Sequence, residues 1–156
     1  MIEFISGDIL QSSDDYIAQG VATGSQEGLG TGLALKISQK WPDAQRKFKK
    51  HTFNNKFSGG DIFVVLPTLD RPGVIYIATQ PDMYHADRTY LNRGIKNLVG
   101  YCAKNKIVSV SMPKIGAGLG KLDWLTDVKP LLIERLSESA TAFRVYEDFK
   151  NIFEAS

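Results

Sequence analysis

The sequence is poor in the residues that build disulfides and metal sites. Its 156 residues include one cysteine, Cys102, and two histidines. An intramolecular disulfide cannot form, and a typical structural zinc site would lack ligands. We therefore expect no metal and no cofactor, and we interpret Cys102 as a small core residue in a protein of the reducing cytosol.

An excess of charge and a long apolar run are also missing. The chain has 19 basic and 17 acidic residues, a formal net charge of +2, which does not indicate a nucleic-acid or membrane partner. No apolar run approaches membrane-spanning length, and residues 1–4 have neither the basic nor the apolar region of a signal peptide. These absences predict a soluble, unprocessed, cytoplasmic chain, which we expect to be a monomer.

The length, the composition and the hydrophobic patterns of the sequence predict one α/β domain. The length and the 43% hydrophobic content suit a single globular domain. Strand patterns alternate with helix patterns, which predicts a mostly buried mixed sheet covered on two faces. The predicted strands are 2–5, 16–21, 62–66, 74–79, 107–113 and 142–146, with 62–66 central and paired to 74–79 as a hairpin. The predicted helices are 31–41, 43–51, 87–105, about 126–136 and a short one within 147–156, and residues 53–60 are predicted to be a loop.

Two glycine-rich loops each lie between a predicted strand and a predicted helix. One spans residues 28–32 and the other residues 116–120. Backbone N–H groups in such loops, next to the N-terminus of a helix, are suited to binding a phosphate. A simple connecting turn is the alternative interpretation. Because ligands of α/β sheets bind at the carboxyl ends of the strands, we expect both loops and Asp8 to meet at that edge.

Two familiar nucleotide motifs are excluded by spacing. A P-loop needs Gly-x4-Gly-Lys-Ser/Thr, and residues 118–122 lack both the spacing and the hydroxyl. A dinucleotide fingerprint follows the first strand, whereas residues 28–32 follow the second and have another spacing. ATP hydrolysis of the P-loop kind and a Rossmann enzyme are therefore not expected.

Three motifs, taken together and in order, resemble those of a macrodomain. Ser6-Gly7-Asp8-Ile9 resembles the family's Gly-Asp-Ile start, and Gly30-Thr31-Gly32-Leu33-Ala34 is similar to its Gly-x-Gly-Ile-Ala loop. Residues 112–124 resemble the Pro-x-Ile-Gly-Cys-Gly-Leu-x-x-Leu-x-Trp segment of one branch. That branch contains the terminal ADP-ribose protein glycohydrolases, and the DNA ADP-ribosyl glycohydrolase antitoxins carry a close relative of the segment. The resemblance implies a single macrodomain over residues 1–156, with a three-layer α/β/α fold and a mixed six-stranded sheet.

The resemblance also implies a binding site for ADP-ribose. In that family the aspartate matched by Asp8 accepts a hydrogen bond from the adenine amino group, and the loop matched by residues 30–34 contacts the distal ribose and the diphosphate. Gln19 stands near the asparagine with which many macrodomains contact the distal ribose. The implied ligand-binding residues are Asp8, Ile9, Gln19, Gly30, Thr31, Gly32, Leu33, Ala34, Gln80, Ile115, Gly116, Ala117, Gly118, Leu119 and Gly120.

The resemblance is incomplete where catalysis would occur. The branch uses a lysine at the exit of the fourth strand, where this chain has Gln80, and glutamine cannot be a Schiff-base nucleophile. Protein-directed members use an aspartate where this chain has Gly120, whereas DNA-directed members commonly have glycine there. We expect the lysine-dependent route to be absent, and Asp82 and His85 are the candidate base and acid for attack by water.

Two functions follow from these expectations. The first is binding of ADP-ribose with hydrolysis of a 1''-linked derivative, either ADP-ribose 1''-phosphate or an ADP-ribosyl adduct. The second is a non-catalytic reader or sequestering module, in which Asp82 and His85 are only loop residues. A related nucleotide such as a cyclic ADP-ribose isomer is also left open. The expected partners are ADP-ribose or an ADP-ribosylated substrate, with nucleic acid only as such a substrate, and no membrane.

Overall fold

A six-stranded mixed sheet forms the middle layer of the computed structural model, which describes residues 1–23, 32–82, 85–117 and 120–149. The strand order is β1-β6-β5-β2-β4-β3. All neighbouring pairs are parallel except β3, which runs antiparallel to β4 at one edge. The strands are β1 (Ile2–Gly7), β2 (Tyr16–Ala22), β3 (Ile62–Val65), β4 (Gly73–Gln80), β5 (Ser109–Pro113) and β6 (Ala142–Phe149).

Helices cover both faces of this sheet. In the described residues they are α1 (Gly32–Lys40), α2 (Pro42–Asn54), α3 (Arg88–Lys104) and α4 (Lys129–Leu136), with a 3₁₀ turn at Ile9–Gln11 and a π-helical turn at Trp124–Val128. None of these helices is both long enough and apolar enough to span a bilayer. The predicted three-layer α/β/α fold with a mixed six-stranded sheet is confirmed.

The alternation of side chains along the strands separates two cores. On β4, Ile75 and Ile77 pack with α3 and α4, while Tyr76 and Ala78 pack with α1 and α2. Successive side chains on a strand point to opposite faces, so one buried strand supplies both layers. In the second core the Phe48 ring of α2 stacks on Tyr76 with the ring centroids 4.2 Å apart. Cys102 is fully buried in the first core, as predicted.

Three sequence-based predictions are wrong in detail. The strand predicted at 62–66 is at the edge of the sheet, since it pairs with β4 alone, and it ends before Leu66, which is 63% exposed. Helix α2 continues to Asn54, into the predicted loop, because side-chain hydrogen bonds such as Asn54 Nδ2 to Lys50 O complete its last turn. Residues 147–149 continue β6 by pairing with β1 rather than starting a helix, and residues 150–156 lie outside the described part of the chain.

An ion pair fastens α2 to the hairpin between β3 and β4. The Arg71 guanidinium donates to both carboxylate oxygens of Asp43, at 2.9 to 3.2 Å, and also to the carbonyls of Leu66 and Pro72. The two side chains differ in exposure, at 3% for Arg71 and 40% for Asp43. The Arg71 hydrogen bond is the main reason why the pKa of the Asp43 carboxyl is lowered.

This asymmetry predicts unequal effects of breaking the pair. Asp43→Ala leaves a buried guanidinium without its counterion and should cost about 3 to 5 kcal/mol. Arg71→Met leaves a carboxylate that water can reach and should cost about 1 to 2 kcal/mol. Urea unfolding at neutral pH measures both values, and an equal or reversed order would contradict the prediction.

The pH dependence supplies the control. A carboxyl whose pKa is lower in the folded state stabilises the fold above its unfolded pKa, and this contribution is lost as the pH falls through the folded pKa. The free energy of unfolding of the wild type should therefore decrease as the pH is lowered into the acid range. The decrease should be smaller in Asp43→Ala, because this variant lacks the Asp43 carboxyl.

Candidate functional site

The five parallel strands end at the same edge of the sheet, and a cavity opens between β1, β5, β6 and α1 there. Its volume is about 280 Å³. Three of the residues predicted to bind a ligand, Ile9, Gly32 and Leu33, meet in its wall. The described lining consists of Gly7, Ile9, Gly32, Leu33, Lys36, Pro113 and Tyr146.

An aromatic wall from Tyr146 was not predicted. Tyr146 lies near the end of β6, and a Cβ atom on Gly7 would lie 3.5 Å from its ring. Gly7 also has φ +149°, a backbone conformation that favours glycine. The available sequence signal was a large aromatic residue at the carboxyl end of a predicted strand. Without the strand order, nothing in the sequence placed that strand beside residues 6–9.

Asp8 begins the 3₁₀ turn between two residues that line the cavity. Its Oδ1 atom accepts a hydrogen bond from the Leu10 N–H at 3.0 Å, which forms an Asx-type turn. Within the described residues its Oδ2 atom accepts no hydrogen bond. The half-buried carboxylate therefore has one oxygen engaged in the turn and one oxygen without a hydrogen bond among the described residues.

The described end of the first glycine loop leads directly into α1. Gly32 opens the helix with φ +57°, a left-handed conformation that suits glycine. Leu33 lines the cavity, whereas Ala34 is buried in the core and only its backbone is near the edge. Gly30 and Thr31, which the sequence also predicts as ligand-binding, lie outside the described residues. The N-terminal turn of a nine-residue helix therefore borders the cavity, a place that favours anions.

The second glycine loop leaves β5 at the same edge. Ile115 is buried beneath it, and Gly116 has φ +79°. The Ala117 N–H donates to Lys114 O at 3.0 Å, so it is engaged within the loop. Gly118 and Leu119 are predicted ligand-binding residues outside the described part. The two loops do meet at one edge as far as they are described.

Gly120 closes the second loop against the segment that follows β4. Its carbonyl accepts from the Ala86 N–H at 2.8 Å, and the Gly116 carbonyl accepts from Leu122 N at 3.0 Å. A Cβ atom on Gly120 would lie 2.7 Å from the Gly116 oxygen and 2.8 Å from the Ala86 Cβ atom. Such contacts are too short, so the backbone itself requires glycine at this position.

Gln80 projects from the end of β4 into this junction. Its amide donates to the Asp82 carbonyl at 2.7 Å, and its Oε1 atom lies 3.2 Å from the position that a Gly120 Cβ would take. The side chain thus joins the strand exit to the second loop. It has no nucleophilic atom to offer.

Asp82 and His85 lie on the same segment but are exposed. The Asp82 Oδ1 atom accepts the His85 backbone N–H at 2.9 Å and lies 3.7 Å from the His85 Nδ1 atom. The side chains are 53% and 67% exposed, respectively. The pair is close enough for a carboxylate to orient an imidazole, although both side chains are exposed to solvent.

Gln19, which the sequence predicts as ligand-binding, is a buried polar residue in the middle of β2 and does not line the cavity. It lies on β2 beside Tyr76 of β4 and is 1% exposed. Neither of its amide atoms, nor the Tyr76 hydroxyl, finds a hydrogen-bond partner among the described residues. Burial raises the pKa of the Tyr76 hydroxyl, which therefore stays protonated. A buried polar group without a partner costs about 1 to 3 kcal/mol, so the Gln19 amide destabilises the fold as described.

The residues that follow the second glycine loop are fixed by side-chain hydrogen bonds. Asp123 accepts a hydrogen bond from the Thr126 N–H at 2.9 Å and caps the π-helical turn. That hydrogen bond lowers the pKa of the Asp123 carboxyl, which makes it a weak proton acceptor. The Trp124 indole and the Lys129 ammonium both donate to Glu147, and Lys129 is the main cause of the lowered pKa of the Glu147 carboxyl.

Comparison with protein families identifies the fold. The family model described as Macro domain matches residues 21–129, more than half of the chain. The chain belongs to the Macro domain family. The matched segment contains the second and third motifs, at residues 30–34 and 112–124, and begins after the first motif at residues 6–9.

This macrodomain is similar to two kinds of curated protein. It is 28% identical to the DNA ADP-ribosyl glycohydrolase of Thermus aquaticus over 97% of this chain and 42% of that protein. It is 27% identical to the human ADP-ribose glycohydrolase OARD1 over 79% of this chain and 76% of that protein. The chain thus spans less than half the length of the Thermus relative.

Among solved structures, the macrodomain of Thermus aquaticus DarG superposes with a TM-score of 0.84 at 26% identity, covering 94% of this chain and 98% of that one. Thermosipho africanus DarTG in complex with ADP-ribose has a TM-score of 0.84 at 20% identity, covering 99% of this chain and 43% of that one. The second likeness concerns the fold alone.

The junction at Gly120 generates a stability prediction. Gly120→Ala should destabilise the protein by about 1 to 3 kcal/mol, because its methyl group overpacks against backbone that is hydrogen-bonded to Ala86 and Leu122. Thermal unfolding measures the loss.

Gly100→Ala is the matched control. Gly100 lies at an exposed position of α3, and a Cβ atom there meets nothing within 4 Å. This variant should stabilise the protein by about 0.5 to 1 kcal/mol through helix propensity. If both variants changed the stability in the same direction, the close approach at Gly120 would be refuted.

Proposed function

We propose that this macrodomain binds ADP-ribose along the carboxyl edge of the sheet and hydrolyses a 1''-linked derivative of it. The observation that carries the proposal is the cavity at the carboxyl edge, which the start of α1 borders and which is lined by Pro113 at the end of β5, where the second glycine loop begins. These features supply an apolar pocket for a base and an anion site for a diphosphate. The buried Gln19 amide, which has no hydrogen-bond partner among the described residues, supports a further polar contact.

The adenine occupies the 280 Å³ cavity in this proposal. Ile9 and Leu33 supply apolar walls, and Tyr146 supplies an aromatic one. The Oδ2 atom of Asp8 accepts a hydrogen bond from the exocyclic amino group. The carboxylate is already oriented by the Leu10 N–H, so it loses little freedom on binding.

The diphosphate lies between the two glycine loops. The first turn of α1 and the backbone around Gly116 provide N–H groups and a helix dipole, which bind phosphate without a dedicated pair of arginines. Lys36, one helical turn after Gly32, borders the same cavity and adds a positive charge. The proposed contacts on the two loops are Gly30, Thr31, Gly32, Leu33, Ala34, Ile115, Gly116, Ala117, Gly118, Leu119 and Gly120.

The distal ribose then reaches Gln19 and Gln80. Gln19 offers both a donor and an acceptor that the fold leaves unused. Gln80, whose amide bonds the Asp82 carbonyl, lies at the strand exit that leads to Asp82 and His85. The anomeric carbon would face this segment.

Hydrolysis in this proposal uses water as the nucleophile. Water attacks C1'', the bond from C1'' to the attached group breaks, a proton leaves the water, and another reaches the leaving group. Asp82 takes the role of base and His85 the role of acid, supported by their 3.7 Å separation. The names of the similar Thermus and human proteins, both glycohydrolases, support the reaction class.

A non-catalytic reader is the second candidate. Two observations favour it, since Gln80 stands at the end of β4 and both Asp82 and His85 are exposed. The binding half of the proposal is common to both candidates. We further propose that residues 1–156 form one macrodomain that acts as a monomer in the cytoplasm.

Gln19→Leu tests the binding half. Removing an unpartnered buried amide should raise the stability of the ligand-free protein by about 1 kcal/mol, while loss of the ribose contacts should weaken ADP-ribose binding about tenfold or more. Thermal unfolding and isothermal titration calorimetry measure the two effects. A variant that is less stable and binds equally well would show that Gln19 serves only the fold.

Turnover decides between enzyme and reader. The purified protein is incubated with ADP-ribose 1''-phosphate, O-acetyl-ADP-ribose, ADP-ribosylated protein and ADP-ribosylated DNA. Release of ADP-ribose from at least one of them is expected. Asp82→Asn, which keeps an acceptor for the His85 N–H, should lower kcat by about 10²-fold or more, because the amide cannot take a proton.

The same assay includes Gln80→Lys as a comparison. If the wild type releases nothing from any of the four compounds, the enzyme proposal fails. Activity that then appears on modified DNA or protein in Gln80→Lys would identify a reader that lacks only its nucleophile. Absence of any ADP-ribose binding in calorimetry would discard both candidates.

A further inference from the structure

The second glycine loop ends at a helix cap of unusual geometry. Asp123 caps the π-helical turn Trp124–Val128. In an ordinary capping box, the N–H of the cap residue donates to the side chain three residues later. Here the Asp123 N–H donates to Oδ2 of Asp127, four residues later, at 2.9 Å. The wider π turn therefore places an acidic side chain at the exit of the loop.

The other carboxylate oxygen of Asp127 binds an arginine of α3. The Arg88 Nη2 atom donates to Asp127 Oδ1 at 2.5 Å. The two side chains are 68% and 21% exposed, respectively. One oxygen of Asp127 thus holds the exit of the loop, and the other holds the first residue of α3. The Asp127 carboxylate joins the two elements.

Arg88 follows directly after residues 81–87, the segment that carries the two candidate catalytic side chains. Within the same segment, the Ala86 N–H donates to Gly120 O at 2.8 Å. Two neighbouring contacts, one between backbone atoms and one between Arg88 and Asp127, therefore connect the exit of β4 with the second glycine loop.

The stretch of the loop between these two contacts is strained. Lys121 has φ +65°, a left-handed conformation that is uncommon for a residue with a Cβ atom. Such a backbone conformation persists only where the surrounding contacts enforce it. Gly120 is bound to Ala86 on one side, and Asp123 is bound to Asp127 on the other. Loosening the second contact would release one end of the strained stretch.

The free energy available from the ion pair is small. Arg88 lies largely in water, and solvent screens ion pairs of such exposure. A contact of this kind cannot hold the whole fold together, but it can shift the equilibrium between two arrangements of a loop. The change in ligand affinity that follows from losing it is then limited to about fivefold.

We propose that the ion pair between Arg88 and Asp127 positions the second glycine loop for binding of the diphosphate, although neither side chain touches the ligand. The inference rests on the proposed function and adds two positioning residues to it. Arg88 acts through Asp127, and Asp127 acts through the Asp123 N–H at the loop exit. The backbone N–H groups around Gly116 are the groups that meet the ligand.

The test is a double-mutant cycle on ligand affinity. The variants are Arg88→Gln, Asp127→Asn and the two together, and calorimetry measures the Kd of free ADP-ribose. Arg88→Gln should bind about fivefold more weakly than the wild type, and Asp127→Asn at least as weakly. The double variant should bind no more weakly than Asp127→Asn alone, because Arg88 acts only through Asp127.

Two further variants are the controls. Arg88→Lys keeps a cation that can pair with Asp127, and it should retain most of the affinity. Arg46→Gln removes the same charge from an exposed position of α2 that forms no salt bridge in the described part of the chain, and it should bind like the wild type. The Tm of Arg88→Gln should differ from that of the wild type by less than about 4 °C, so unfolding does not account for its weaker binding.

Hydrogen exchange of the ligand-free protein gives a readout that does not depend on ADP-ribose. The Leu122 N–H donates to Gly116 O and the Asp123 N–H donates to Asp127, so both amides report on the loop exit. They should exchange about fivefold faster in Arg88→Gln than in the wild type. The amides of the central strands should exchange at unchanged rates.

Three results would overturn the inference. They are additive losses in the cycle, which would mean that Arg88 contacts the ligand itself, an equal loss in Arg46→Gln, and unchanged exchange at Leu122 and Asp123. If the wild type bound no ADP-ribose, the proposed function would fail. The exchange experiment would still decide whether the ion pair fixes the loop.

Discussion

Parallel pairing of five strands is the constraint on which the candidate site depends. Because β1, β6, β5, β2 and β4 run in one direction, their carboxyl ends form a single edge, and each connecting segment begins there. Residues that are more than a hundred positions apart in sequence, such as Ile9 and Pro113, thereby line one cavity. The backbone hydrogen bond from Ala86 to Gly120 then fixes the distance between two of these segments.

The site combines rigid and unsatisfied parts. Its glycine positions are set by backbone contacts, which leave no room for a side chain at Gly120. Gln19 is different, because its buried amide has no hydrogen-bond partner among the described residues and lowers the stability of the fold. Asp82 and His85 belong to neither part, since both side chains are exposed.

The helices on both faces of the sheet carry an excess of positive charge, although the net charge of the chain is only +2. Helices α1 and α2 together contain six basic residues and one acidic residue, and α3 and α4 together contain the same numbers. The ion pair of Asp43 with Arg71 matters here, because it fastens α2 to the hairpin and removes the one acidic side chain from that surface.

Local patterns in the sequence determined the elements, the order of the three motifs and the turn at Asp8, since these depend on residues that are close along the chain. Hydrophobic spacing also identified the cores on both faces of the sheet. The position of β3 at the edge, the Tyr146 wall, the close approach at Gly120 and the isolation of Gln19 were decided by the tertiary structure. Each of these depends on which strands become neighbours and how closely their backbones meet. The pairing of strands that are distant in sequence determines which strands are neighbours and how closely their backbones approach. A sequence pattern of a few residues contains no information on such pairing.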